Sequence, residues 1–195
     1  MLYPRKTRAL RGEYYMWVDR PAKIANHLDN ALDWLGRSIS WLNLLMAIIV
    51  FVIVILRYWF SIGSVALQES VTYLHAALFM LGISYTLQHN GHVRVDIFYR
   101  TFSARRRAQV DLVGLVVFLI PTCVLIISSS WDYVVASWAT GERSEENSGI
   151  AFVYGLKTLM IIMPALLMIQ GVAGGLRNAQ KLILIQPRTD TEHSD

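Results

Sequence analysis

Histidine is the most versatile reactive side chain in this sequence, and its five copies are scattered rather than clustered. A haem or metal site needs several ligands that converge at one depth. Only His75 lies inside a long apolar stretch, whereas the others lie at the edge of one or in polar segments: His27, His89, His92 and His193. Because no second histidine faces it, we predict that His75 forms a hydrogen bond between helices, and we expect no metal or haem cofactor.

The remaining reactive side chains also lack the neighbours that catalysis requires. The sequence has no Gly-x-Ser-x-Gly elbow, no phosphate-binding glycine-rich loop and no Cys-x-x-Cys pair. The single cysteine, Cys123, excludes a disulfide within one chain. The acids Glu69, Asp111 and Asp132 mark the ends of apolar stretches, so the middle of these stretches offers no carboxylate to a coupling ion. We therefore predict that the protein is not an enzyme and that this chain alone moves neither an ion nor a substrate.

Four stretches without Lys, Arg, Asp or Glu must position these side chains. They lie between Arg37 and Arg57, 69 and 89, 111 and 132, and 157 and 177, and contain 19, 19, 20 and 19 residues. A helix of that length is close to ~30 Å long, the thickness of the hydrocarbon core of a bilayer. Backbone groups in hydrocarbon must be satisfied within the segment, which favours helices over strands. The predicted fold is an all-α integral membrane protein with four transmembrane helices.

The basic residues predict the orientation of these helices. Fifteen of the 18 Lys and Arg residues fall in the segment up to Arg37, in the loop from His89 to Arg107, or after residue 176. The positive-inside rule then places both termini and the middle loop in the cytoplasm. The net charge of +4 therefore indicates topology, and it lends little support to a nucleic-acid partner. We expect a multi-pass protein of the bacterial inner membrane.

The predicted boundaries separate three regions. Residues 1–37 form a basic N-terminal segment, residues 38–178 a membrane domain with spans at about 38–60, 68–88, 108–132 and 153–176, and residues 179–195 a cytoplasmic tail. Within the first region, apolar residues recur at helical spacing from Lys23 to Arg37, and Asp29 and Asp33 are on the opposite face. This pattern predicts an amphipathic helix on the membrane surface, or equally a solvated lead-in that extends the first span.

Three further features invite an interaction. Arg57 and Glu69 flank one short turn and either form an ion pair or, alternatively, Arg57 reaches the lipid headgroups. Gly171 and Gly175 form a small-xxx-small pair that permits a close helix approach. The run from Arg105 to Arg107 is expected to contact anionic headgroups.

Short motifs follow one another in a characteristic order between about residues 35 and 178. The most specific is His92-Val93-Arg94-Val95-Asp96, between the second and third apolar stretches. The others are Arg57-Tyr58, Gln68-Glu69, Tyr73-Leu74-His75, Tyr85-Thr86-Leu87 and Asp111-Leu112-Val113-Gly114. This order resembles the small Q-type membrane subunit of tripartite ATP-independent periplasmic (TRAP) transporters. A second group of motifs is similar to the branch labelled mannitol/chloroaromatic: Ser137-Trp138, Gly141-Glu142-Arg143-Ser144, Lys157 and Gln170-Gly171.

The resemblance implies a function and partners. Such a subunit binds a large permease subunit that carries the substrate and ion sites, and a periplasmic binding protein delivers an organic acid. An ion gradient, commonly of sodium, drives uptake, and the small subunit braces the large one. We expect the large permease, the binding protein and membrane lipids as partners, and no cofactor.

Several residues are candidates for partner or structural contacts in this setting. His92, Arg94 and Asp96 are expected to fix the inner loop, by bonding to each other or to the large subunit. Glu142, Glu145 and Glu146 are candidates for docking the binding protein, with a solvated loop as the alternative. The remaining candidates are Arg57, Glu69, His75 and Lys157. A stand-alone channel or carrier is the alternative function, and a membrane enzyme or cytochrome subunit is the least favoured class.

Overall fold

The protein is a bundle of long helices in a computed structural model, which describes residues 5–89, 91, 99 and 101–184. The first helices are α1 (Arg5–Trp59) and α2 (Val65–Gln88). A third rod comprises α3 (Ala104–Gly114), a π-helical turn (Leu115–Leu119) and α4 (Ile120–Thr140), and α5 covers Val153–Leu184. No strand occurs among these residues. Four helical segments are long and apolar enough to cross a membrane: Ala25–Trp59, Val65–Gln88, Ala104–Thr140 and Val153–Ile183. The prediction of an all-helical fold with four candidate spans is confirmed.

Helix α1 runs without a break from Arg5 to Trp59, through the segment predicted to be amphipathic. From Ala25 onward, where its side chains are described, the buried apolar residues are Ala25, Leu32 and Ile39, seven residues apart, so they line one face of the helix. This face packs against α2 and α5 of the same chain. No break in α1 separates a membrane-surface helix from the first span. The placement of this segment on the membrane surface and the orientation of the termini stay predictions.

Helix α5 is the central element of the bundle. It packs against α1, α2, α3 and α4. Its small residues permit this, since a Cβ atom on Gly171 would lie 2.8 Å from Leu115 Cδ1, and Gly175 meets the same leucine. The small-xxx-small pair of the sequence therefore serves a close approach between α5 and the third rod.

The third rod contains a proline, Pro121, at the start of its second α-helical half. Pro121 follows the π-helical turn, in which the Ile120 N–H donates to the Leu115 carbonyl five residues back. Because proline has no N–H and excludes the carbonyl four residues before it, the helical ladder must change locally. The π-helical turn accommodates this change, and the rod stays helical from Ala104 to Thr140.

A close approach between α1 and α2 depends on Gly36. A Cβ atom at this position would lie 2.7 Å from the Tyr85 Cβ, closer than real Cβ contacts come. Because the overlap involves the root of the tyrosine side chain, a change of its rotamer does not remove it. The two backbones must separate to admit a larger residue.

We predict that Gly36→Ala destabilises the protein by roughly 1–3 kcal/mol through overpacking. The matched control is Gly82→Ala, because Gly82 also lies inside a helix but has open space around the position of a Cβ. Alanine in a helix interior is favoured over glycine by roughly 0.5–1 kcal/mol, so the control should be neutral or stabilised. Thermal unfolding of both variants in detergent checks this, and an equal response of the two glycines would contradict it.

Candidate functional site

The polar contacts of the described residues gather at two ends of the bundle. At the first, here called the Gln88 end, α2 and α5 end and α3 begins. At the second, the Glu69 end, α2 and α5 begin and α4 ends. Many large apolar side chains between them are exposed, including Phe51, Phe79, Phe118 and Leu125. Since hydrocarbon cannot solvate polar groups, this distribution is typical of a membrane-spanning chain.

Asp29 organises the Gln88 end. Its carboxylate forms an ion pair with Arg177 and accepts a hydrogen bond of 3.2 Å from the Gln170 side-chain amide. Its backbone carbonyl accepts a hydrogen bond of 3.1 Å from the Gln88 side-chain amide. One residue of α1 therefore joins α2 and α5.

The sequence pattern assigned Asp29 only to the polar face of this helix and did not predict these partners. They were missed because periodicity identifies a polar face but does not say which polar residue has a partner. The available signal was the pair Gln170 and Arg177, two polar residues seven apart on one face of an otherwise apolar helix. Asp33, in contrast, is partly exposed and pairs with Arg37 at 2.9 Å.

A second cluster at the Gln88 end joins α3 to α5 through Asp111. The Tyr99 hydroxyl lies 3.0 and 2.9 Å from the two Asp111 carboxylate oxygens, and the Asn178 amide donates to one of them at 3.3 Å. The Arg107 guanidinium lies 5.5 Å from the centre of the Tyr99 ring. Asp111, noted in the sequence only as an edge marker, is therefore a helix-joining residue.

Between these two clusters lies a cavity of about 770 Å³. Its polar wall includes Gln88, Arg107, Gln170 and Lys181, and its apolar wall includes Leu115 with residues 87 and 119. Its lining includes Arg107 from the basic start of α3.

Glu69 closes the other end of the bundle. Its carboxylate accepts a hydrogen bond from the Ser144 hydroxyl and another, of 2.5 Å, from the backbone N–H of Ile150. The loop between α4 and α5 is thereby held on α2. The structure thus directs Glu69 to this loop and not to Arg57, which is exposed. The ion pair offered as one alternative for these two residues is not formed.

A second contact at the Glu69 end ties the same loop to α5. The Lys157 ammonium lies 2.5 Å from a Glu142 carboxylate oxygen and 3.8 Å from the centre of the Tyr133 ring. The hydrogen bond from Lys157 lowers the pKa of the Glu142 carboxyl below its ordinary value. The Trp138 indole donates to the Thr158 hydroxyl at 2.9 Å and joins α4 to α5 nearby.

The structure distributes the predicted site residues unequally. It brings Glu142 and Lys157 together, but leaves Glu145 and Glu146 exposed at the tip of the loop. His75 is exposed on α2, and the hydrogen bond between helices predicted for it stays a prediction. The remaining candidates lie outside the described residues: His92, Arg94 and Asp96. In the described part of the chain, no three His, Cys, Asp or Glu side chains group as metal ligands would.

Comparison with known proteins decides the family. The sequence profile described as "Tripartite ATP-independent periplasmic transporters, DctQ component" matches residues 46–181. The chain belongs to the DctQ family. The family is the small permease component of TRAP transporters, a role in transport, and the four apolar helices indicate a multi-pass inner-membrane protein.

Two DctQ relatives illustrate the match. A protein of Haemophilus influenzae, named as a TRAP transporter small permease protein, is 33% identical over 108 residues, which cover 55% of this chain and 65% of the relative. A protein of Vibrio cholerae, named as a C4-dicarboxylate TRAP transporter small permease protein, is 25% identical over 127 residues, covering 64% and 52% respectively. The chain therefore spans between half and two thirds of these relatives. No solved structure shows a significant match. The mannitol/chloroaromatic branch stays a prediction.

We predict that the loop of this DctQ protein loosens in acid through Glu142. A carboxyl whose pKa is lowered by folding stabilises the folded state above its ordinary pKa, near 4.5, and loses that contribution as the pH falls through the lowered value. The thermal midpoint of the wild type should therefore exceed that of Glu142→Gln at pH 6, and the difference should disappear below the lowered pKa.

The control for this measurement is Glu145→Gln, which removes an exposed carboxylate from the same loop. It should leave the thermal midpoint close to the wild-type value across the pH range. A difference between wild type and Glu142→Gln that persists unchanged at the acid end would contradict the assignment to the Glu142–Lys157 pair.

Proposed function

We propose that this chain braces a large TRAP permease subunit during ion-gradient-driven uptake of an organic acid delivered by a periplasmic binding protein. The observation that carries the proposal is that every described helix forms a polar contact with a neighbour at one or both ends of the bundle. A brace must keep its shape while the subunit beside it moves, and contacts at the ends resist tilting of the helices.

The contacts themselves support a stationary role. Asp29 joins α1, α2 and α5, and Asp111 joins α3 and α5. At the opposite end, Glu69 and Lys157 hold the connecting loop from two sides. A carrier that alternates between two shapes would have to break such contacts in each cycle, whereas a brace retains them.

The exposed surface of the bundle supports association with another membrane subunit. Trp34 and Trp41 of α1 are 71% and 70% exposed, and Phe51 is 65% exposed. Large aromatic side chains are over-represented at protein interfaces and at membrane–water boundaries. We propose that the large permease covers part of this surface and lipid the remainder, with Arg57 and His75 as further contact residues.

Energy source and substrate are proposed on family grounds. We propose a sodium gradient and an organic-acid substrate of the mannitol/chloroaromatic branch, with His92, Arg94 and Asp96 fixing the inner loop against the large subunit. The Vibrio cholerae relative is named for C4-dicarboxylates, which are organic acids. The acids of the loop are proposed to dock the binding protein, with Glu145 and Glu146 free for this and Glu142 engaged with Lys157.

Purification and reconstitution test the brace. The tagged full chain, extracted in mild detergent, should bring a large polytopic membrane protein with it. In proteoliposomes that contain the large subunit and receive the binding protein, uptake should require this chain, and this chain alone should give no flux. Vigorous uptake without it would overturn the proposal, and flux through it alone would support the stand-alone channel or carrier instead.

Charge reversal tests the docking surface. Glu145→Lys/Glu146→Lys should slow association with the binding protein by roughly tenfold at low ionic strength, because rim charges act chiefly on the association rate. The neutral pair Glu145→Gln/Glu146→Gln should have a smaller effect, and both should approach the wild-type rate in high salt. Uptake measured against binding-protein concentration gives the rates; identical rates at low salt would argue for a merely solvated loop.

A further inference from the structure

The cavity at the Gln88 end contains hydrogen-bond acceptors that the described part of the chain leaves unused. The side-chain amide oxygens of Gln88 and Gln170 are buried and have no hydrogen-bond partner there, and Gln170 is only 2% exposed. Both residues line the cavity. Buried polar atoms in native proteins nearly always have a partner, so a group in the cavity should donate to them.

Asp29 fixes which atom of each amide remains available. The Gln170 Nε2 donates to the Asp29 carboxylate, and the Gln88 Nε2 donates to the Asp29 carbonyl. Turning either amide around would set oxygen against oxygen, so each Oε1 must be the atom without a partner. The cavity therefore requires donors near Gln88 and Gln170 and does not require further acceptors.

The charge of the cavity wall selects the rest of the ligand. Among the described residues, three cationic side chains line it, Arg107, Arg177 and Lys181, against one acid, Asp111. Asp29 neutralises Arg177, and Asp111 is already engaged with Tyr99 and Asn178. The net positive balance favours an anionic group, and phosphate is well matched to Arg and Lys donors.

The shape of the cavity requires an apolar part in the same ligand. Its wall changes from Arg107 at the end of the bundle to Leu119, which lies about 18 Å further along the helix. In the described residues, α2 makes at most marginal contact with the third rod, so this side is open to the bilayer. An acyl chain can pass there while a headgroup stays at the polar wall.

We propose that this cavity binds one phosphatidylglycerol molecule, whose phosphate meets the basic residues and whose glycerol hydroxyls donate to Gln88 and Gln170. A phosphatidylcholine headgroup has no donor and no net negative charge, so it satisfies neither requirement. The site does not depend on the proposed transport role. It is distinct from general attraction of the basic surface to anionic lipid, because it specifies one lipid at one place between helices.

Native mass spectrometry of the full chain in mild detergent tests the site, with added dioleoyl phosphatidylglycerol as the probe. About one molecule should be retained per chain, and dioleoyl phosphatidylcholine or soluble glycerol phosphate should not replace it. Replacement by the phosphatidylcholine would overturn the role of the headgroup. Replacement by glycerol phosphate would indicate an anion site without a lipid role.

Two matched pairs of variants locate the site. Gly174→Leu fills the cavity, because a Cβ there meets only Arg177 Nη2 at 3.9 Å, and it should abolish retention, whereas Gly82→Leu on α2 should not. Lys181→Gln should reduce retention about fivefold, the usual effect of one basic residue near a membrane surface. Arg105→Gln removes an equal charge from the start of α3, outside the cavity wall, and should leave lipid retention unchanged.

Equal losses of lipid retention in Lys181→Gln and Arg105→Gln would show only general electrostatic attraction to anionic lipid and would overturn the proposed site. Retained lipid in a folded Gly174→Leu protein would do the same. If Gly174→Leu fails to fold, the comparison of Lys181→Gln with Arg105→Gln still decides. Loss of a co-purifying membrane subunit from Gly174→Leu, with lipid retention unchanged, would assign the cavity to a protein partner instead.

Discussion

Asp29 ties together three helices, α1 to α5 through its carboxylate and α1 to α2 through its backbone carbonyl, and the arrangement of this bundle depends on these contacts. Asp29 reaches α5 through Arg177 and Gln170, and α2 through Gln88. A carboxylate is costly to desolvate, and in this position it is tolerated only when all its partners are present. The Asp29 carboxylate therefore fixes one arrangement of the helices more than it adds net stability. Apolar side chains pack well in many registers, and lipid competes with them on equal terms. The polar contacts at the Gln88 and Glu69 ends therefore define how α1, α2 and α5 align.

The number and type of helices were predictable because hydrocarbon imposes a length and excludes charge. Uncharged stretches of 19 or 20 residues were sufficient to identify all four spans. The continuity of α1 was left open, since helical periodicity is the same for a surface helix and for a helix that extends a span. Partners were harder to predict than elements: a sequence pattern shows that Glu69 stands at a helix end, but not that Ser144, 75 residues later, folds back onto it.

The candidate contacts illustrate the same limit. Glu142 and Lys157 were both selected on family resemblance, for separate reasons, and the structure makes them one ion pair above the Tyr133 ring. Arg57 and Glu69 were considered together because one short turn joins their helices, yet each side chain has a different environment. Proximity along the chain was a poor guide at this end because the loop after α4 competes for the same carboxylate. Membership of the DctQ family gives a setting for these contacts: a small transporter subunit whose helices are joined by polar side chains at both ends of the bundle.

The π-helical turn before Pro121 also sets the phase of the third rod. The buried residue Ala108 and the packed Leu115 are seven apart, and the buried Cys123, Ser130 and Ser137 are again seven apart, but the two series are offset by one position. A regular helix would rotate one series away from α5 by about 100°. The extra residue in the wider π-helical turn compensates for that rotation, so the buried faces of α3 and α4 are both directed toward α5. The π-helical turn thus keeps the buried residues of both halves on the same side of the rod. This role is visible in the spacing of the residues across the turn and not in their chemical identity.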